Sequence, residues 1–169
     1  MNQVDSRENQ ATRTAELAVA ERAMRLALVN IPYLSGLART IRLSPDRRIS
    51  TVGVFASGRI IFNPDFLARL APRDAAFIMA HEMMHLALRT HQREDARRRL
   101  LTNWAHDYII NDILERTFGQ PPPANGLRWL GASDYSLEHL MAIIGRIPPR
   151  IPRCWQLAPQ GRRLRGGRG

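Results

Sequence analysis

The chain has 169 residues, 44% of them apolar, which is enough to bury one core and excludes wholesale disorder. Its only cysteine, Cys154, excludes an intrachain disulfide. The formal charge of +10 would suit a nucleic-acid partner, but residues 146–169 hold seven arginines and no acid, so the excess belongs mainly to the tail.

All 25 basic residues are arginine, a bias that reads as codon usage in a GC-rich genome rather than as ligand chemistry. The opening stretch MNQVDSRENQATRTAE lacks the apolar run of a secretory signal, and no segment is long and uncharged enough to span a bilayer. The expectation is a soluble cytoplasmic protein with no membrane role that acts on a protein or peptide. Nucleic acid stays open as a partner through the tail, but it is not favoured.

From about Thr12 to Val29, Leu17, Met24 and Leu28 recur at helical spacing with Ala20 and Ala27 beside them. Pro32 ends that helix, and Tyr33 to Leu37 makes a loop or a short helical turn. Thr51–Phe55 and Arg59–Phe62 are β-rich runs separated by Ala56-Ser57-Gly58, the pattern of a hairpin. Asn63-Pro64 opens a short helix to about Leu70. Asp74 is placed to cap a long helix from about Ala75 to at least Leu88. A further helix runs from Thr102 or Asn103 to Phe118 and stops at Gly119, ahead of Pro121-Pro122-Pro123. Residues 124–134 read as loop, and Ser136 to Ile144 as a short helix. The organisation is α+β: one mostly helical domain over 1–145 with a small hairpin, then an Arg/Pro/Gly-rich tail over 146–169 that is expected to be disordered.

The segment His81-Glu82-Met83-Met84-His85 carries the chemistry. Residues four apart on a helix stand about 40° apart around its axis, so both imidazoles can face one ion. Glu82 lies about 100° round from His81, too far to join them as a ligand but able to serve a bound water as general base. Phe77, Ile78, Met79, Ala80, Met83 and Met84 make this an apolar helix on nearly every face, and polar groups in such a helix need partners. A zinc ion supplies one, and a catalytic zinc site takes three protein ligands and leaves a position open.

Asp107 is the expected third ligand. It lies on the same side of its helix as Trp104, Ile110 and Leu114, in a row with Asn103 and Asn111, while Asp112 faces away. Asn111 is then placed to orient a ligand. His91 is the alternative third ligand, six residues after His85. Leu86 to Arg89 are good helix formers, however, and a continuing helix would carry His91 out of reach. The alternative for Asp107 is an ion pair with an arginine of the core. His106 and Tyr108 flank Asp107 and read as surface and core residues. Arg97-Arg98-Arg99 reads as a solvated helix face, His139 as a surface residue, and Cys154 as part of the tail.

With these residues in hand, the chain resembles the bacterial putative metallopeptidase domain that is often fused to a von Willebrand A-like domain. The similarity runs from about Tyr33 to Leu140. It rests on Phe62-Asn63-Pro64-Asp65-Phe66, on the AHEMMHLALRTH segment and on Trp104 to Asn111. The resemblance implies a zincin-like fold and zinc-dependent peptide hydrolysis. It also implies that Asp107, Asn111 and His91 belong to the family pattern. An extended substrate is then expected to pair with the hairpin edge at Arg59–Phe62. Two rivals stand beside this reading: a non-catalytic zinc-binding scaffold, and a protease held on DNA by the basic tail.

Overall fold

Helical periodicity governs most of the chain, and proline, asparagine and glycine set its breaks. The computed structural model describes residues 3–92 and 98–146. Helix α1 spans Gln3–Asn30 and so begins well before Thr12. Ala20, Ala23 and Ala27 form its buried stripe, with Leu17, Met24 and Leu28 half-buried beside them. Small side chains let α1 lie close along the central helix. A 3-10 turn at Pro32–Leu34 and the short helix α2 (Ser35–Ala38) follow.

The expected hairpin is present as β2 (Val52–Val54) and β3 (Arg59–Phe62), antiparallel with Val54 opposite Ile60. A third strand, β1 (Arg42–Pro45), was not anticipated: Arg-Leu-Ser-Pro is short, polar and ends in proline. It pairs parallel with β3, with Arg42 opposite Arg59. The sheet order is β1-β3-β2, so β3 is central and both of its edges are taken. An extended substrate therefore cannot pair with Arg59–Phe62, and that expectation is corrected. Gly58 (φ 78°) closes the β2–β3 turn, where an added Cβ would stand 3.3 Å from the Thr40 carbonyl oxygen. Asn63 caps α3 (Pro64–Arg69) by accepting from the Asp65 and Phe66 N–H groups.

Helix α4 (Pro72–Ala87) is the axis of the fold, buried without interruption from Ala75 to Met84. Its N-cap is Ala71, not Asp74: Pro72, with φ already set, opens the helix. Asp74 lies in the first turn and accepts from Gln120 Nε2 at 3.2 Å. The far end also differs from expectation. Leu88 is the C-cap, and Arg89 takes φ 49°, so the helix stops before the good helix formers run out. A 3-10 turn at Thr90–Gln92 follows.

Helix α5 (Arg99–Phe118) ends on Gly119 in the left-handed conformation (φ 62°), as expected. It has two apolar sides. Ile110, Leu114 and Phe118 join the core built by α1, α4 and the sheet. Ala105 and Tyr108, with Trp104 partly buried beside them, face a second core formed with Leu127 and helix α6 (Leu137–Ile144). Trp104 therefore does not share a core with Ile110 and Leu114. Among the described residues the architecture is α+β, six α-helices around a three-stranded sheet. No helix among them is long and apolar enough to cross a membrane. Arg97, the tail from residue 147 and Cys154 lie outside the described residues.

Asp112 faces away from α4, as expected, yet it is buried. It accepts from the Gly131 and Ser133 N–H groups at 2.9 and 3.0 Å and from the Ser133 hydroxyl, and it pairs with Arg116. Burial alone would raise its pKa. The bonds from Ser133 and Gly131 and the charge of Arg116 outweigh that and hold it below the usual 3.8. Its stabilising effect is therefore full above the unfolded-state value and is lost as pH falls through the folded one. Asp112→Ala should cost about 1–3 kcal/mol at neutral pH, read by urea denaturation. The gap to wild type should narrow as pH drops below 3.8.

Candidate metal centre

Helices α4 and α5 run antiparallel, and their registers match turn for turn. Arg73 near the start of α4 donates to the Phe118 carbonyl near the end of α5. Two turns further, His81 faces Asn111, and one turn more brings His85 to Asp107. A four-residue step forward on α4 and back on α5 moves one turn the same way in space, so the two pairs stack on one another between the helices. One ligand atom from each of His81, His85 and Asp107 lies within 4.8 Å of the others. His81 Nε2 and His85 Nε2 stand 2.9 Å apart, and Asp107 Oδ1 is 3.4 and 3.1 Å from them.

Outer hydrogen bonds decide which ring nitrogens face inward. Asn111 donates from Nδ2 to the Leu127 carbonyl at 2.8 Å, which leaves its Oδ1 to accept from His81 Nδ1 at 2.8 Å. The Thr90 hydroxyl donates to the His85 carbonyl at 3.3 Å and can accept from His85 Nδ1 at 3.1 Å. Both rings thus carry a proton on Nδ1 and turn Nε2 inward.

Three electron-rich atoms so close together require a positive charge among them. Burial works against a charged His81, but Asp107 outweighs it and raises the His81 pKa. Burial would likewise raise Asp107, yet the hydrogen bonds from His81 and His85 hold its carboxyl well below the usual carboxylate range. Positive charge is therefore favoured on His81, beside the point where a cation would fit. Ligand atoms around a tetrahedral zinc are separated by about 3.3 Å, from metal–ligand bonds near 2.0–2.1 Å. The observed 2.9, 3.1 and 3.4 Å suit that set after small rotations. The His81 side chain is 3% exposed, while those of His85 and Asp107 are 16% and 14% exposed, so the cluster opens to solvent on one side.

Glu82 is buried beside this cluster. Burial raises its pKa, and the nearby imidazoles of His81 and His85 only partly offset that.

The structure brings together His81, His85, Asp107 and Asn111. It leaves His91 out of the cluster, because the turn at Arg89 directs it to a groove beside α2. The Asp107 carboxylate meets imidazoles rather than a core arginine. His106 and Tyr108 are both buried, and His139 is exposed. Thr90 and the Leu127 carbonyl were missed. A threonine five residues beyond His85 could have been found only by foreseeing the break at Arg89, and a loop carbonyl carries no sequence signal at all.

Comparison with known proteins gives one result. Neither the curated proteins nor the solved structures yield a match. A family profile does match, over residues 12–130: it takes in most of α1, which the resemblance from Tyr33 onward had left out, and stops before α6. The chain belongs to the family described as putative metallopeptidase domain.

Proposed function

We propose that this chain is a zinc-dependent peptidase in which His81, His85 and Asp107 hold the ion and Glu82 is the general base. The observation that carries the reading is the convergence of two Nε2 atoms and one carboxylate oxygen at 2.9–3.4 Å. Membership of the family supports the same class of reaction. Two imidazoles with a carboxylate suit zinc among divalent ions.

When bound, the ion supplies Lewis acidity towards a peptide carbonyl and an attacking water. The chain's own groups do the rest. Asn111 and Thr90 hold the imidazoles in the tautomer that presents Nε2. Glu82, its pKa raised by burial, takes the proton of the attacking water and passes it to the leaving amine. The apolar walls from α4 keep bulk water from the buried side of the site.

A structural zinc site would use four protein ligands. Among the described residues the donor group has three members and excludes His91, which favours an open position over the scaffold reading. The DNA-bound protease reading depends on the tail, and no observation on the described residues favours it.

Purified protein should carry about one zinc per chain by elemental analysis. Glu82→Gln should keep the metal and lose roughly 100- to 10,000-fold in peptide cleavage. His81→Ala or Asp107→Ala should lose the metal itself, and a metal-free wild type prepared without chelator would sink the proposal. Asn111→Ala should weaken zinc binding about 10- to 100-fold in a competition titration, because His81 is then free to rotate. Zinc uptake by metal-free protein should expel the proton that Asp107 favours on His81. Calorimetry in two buffers of different ionisation enthalpy would read about one proton released.

A further inference from the structure

A groove of about 330 Å³ lies beside the turn that ends α4, between that turn, the end of α2 and the β2–β3 turn. Leu86, Arg89, His91 and Gln92 line one wall, and Thr40 and Ser57 belong to the other. Its polar side chains offer a guanidinium, an imidazole, an amide and two hydroxyls, and among the described residues no aspartate or glutamate lines it. Such a set suits an anion, and a guanidinium suits a carboxylate in particular.

The backbone supports the same assignment. Arg89 is held at φ 49°, where a side chain other than glycine is strained by about 1–2 kcal/mol. A strained residue whose side chain lines a groove points to a use for that side chain. Among the described residues no carboxylate pairs with Arg89. Thr90, the next residue, is the one hydrogen-bonded to the His85 ring, and His91 follows it into the groove. The groove and the ligand imidazole are thus joined by one turn of chain.

We propose that the groove is a specificity subsite that takes a carboxylate, from an acidic side chain or from a chain terminus, with Arg89 as its principal contact and His91 as its second. The subsite deepens the peptidase reading and rests on it for its role, though its ligand binding needs no metal.

Full-length Glu82→Gln protein, which should bind without cleaving, would be titrated with three probes. These are acetyl-Ala-Ala-Glu-Ala-amide, its Gln counterpart, and acetyl-Ala-Ala-Ala with a free carboxyl end. Calorimetry would give affinity, and the His91 ring signals in NMR would give location. The Glu peptide or the free-ended peptide should bind about tenfold tighter than the Gln peptide and shift His91. Whichever does so names the source of the carboxylate. Arg89→Gly, which relieves the backbone strain, should fold with no loss in Tm and erase the preference, while Arg89→Lys should retain part of it. Equal affinity for all three probes, or a preference that survives Arg89→Gly, would overturn the assignment. So would a short single-stranded DNA that shifts His91 where none of the peptides does. Repeating the titration on metal-depleted protein separates the two proposals: a preference that persists there holds for the groove even if the chain proves to bind no zinc.

Discussion

The antiparallel register of α4 against α5 is the constraint on which the site depends. His81 and His85 share one face of α4, and Asp107 and Asn111 share one face of α5. Neither face makes a site alone. Slipping one helix by a residue would rotate its row by about 100° and separate the donor atoms. The register is held far from the site as well, by Arg73 on the Phe118 carbonyl and by Gln120 on Asp74. On the opposite flank, Ala20, Ala23 and Ala27 of α1 complete the burial of α4.

The imidazoles and the carboxylate of the trio are tolerable in so apolar a place because they are satisfied in layers. The inner layer is the trio itself. The outer one consists of Asn111 between His81 and the Leu127 carbonyl, and Thr90 on His85. Each outer group belongs to a different piece of chain: α5, the loop before α6 and the turn after α4. Loop and helix are thereby tied to one pair of imidazoles. Asp112 does the same on the other side of α5, where it collects the backbone N–H groups of Gly131 and Ser133. Helix α5 thus organises the candidate site with one row of residues and the 131–133 loop with another.

The end of α4 shows how a local departure from propensity serves this arrangement. Leu86 to Arg89 would extend a helix readily in isolation. The chain turns instead, with Arg89 left-handed, and the turn sets Thr90 against the His85 ring. A hydrogen bond to a half-buried imidazole and a lined groove are what the turn yields in exchange for its strain. Continued helix would have carried both Thr90 and His91 away from His85.

Much of the site was legible from the chain alone. The spacing of His81, Glu82 and His85 on an apolar helix, and Asp107 with Asn111 on the next, follow from helical periodicity, which depends only on local sequence. Gly119, Asn63 and Ser136 marked helix ends by the same local chemistry. What the tertiary structure alone decided are matters of which distant segments meet. It added β1 and made β3 a central strand, because a short polar segment gains strand character only from its neighbours. It stopped α4 at Arg89 and sent His91 to the groove, because contacts across the fold outweighed helix propensity. And it chose the Nδ1 partners of both imidazoles, since a hydrogen bond to a remote amide or carbonyl leaves no trace in sequence spacing.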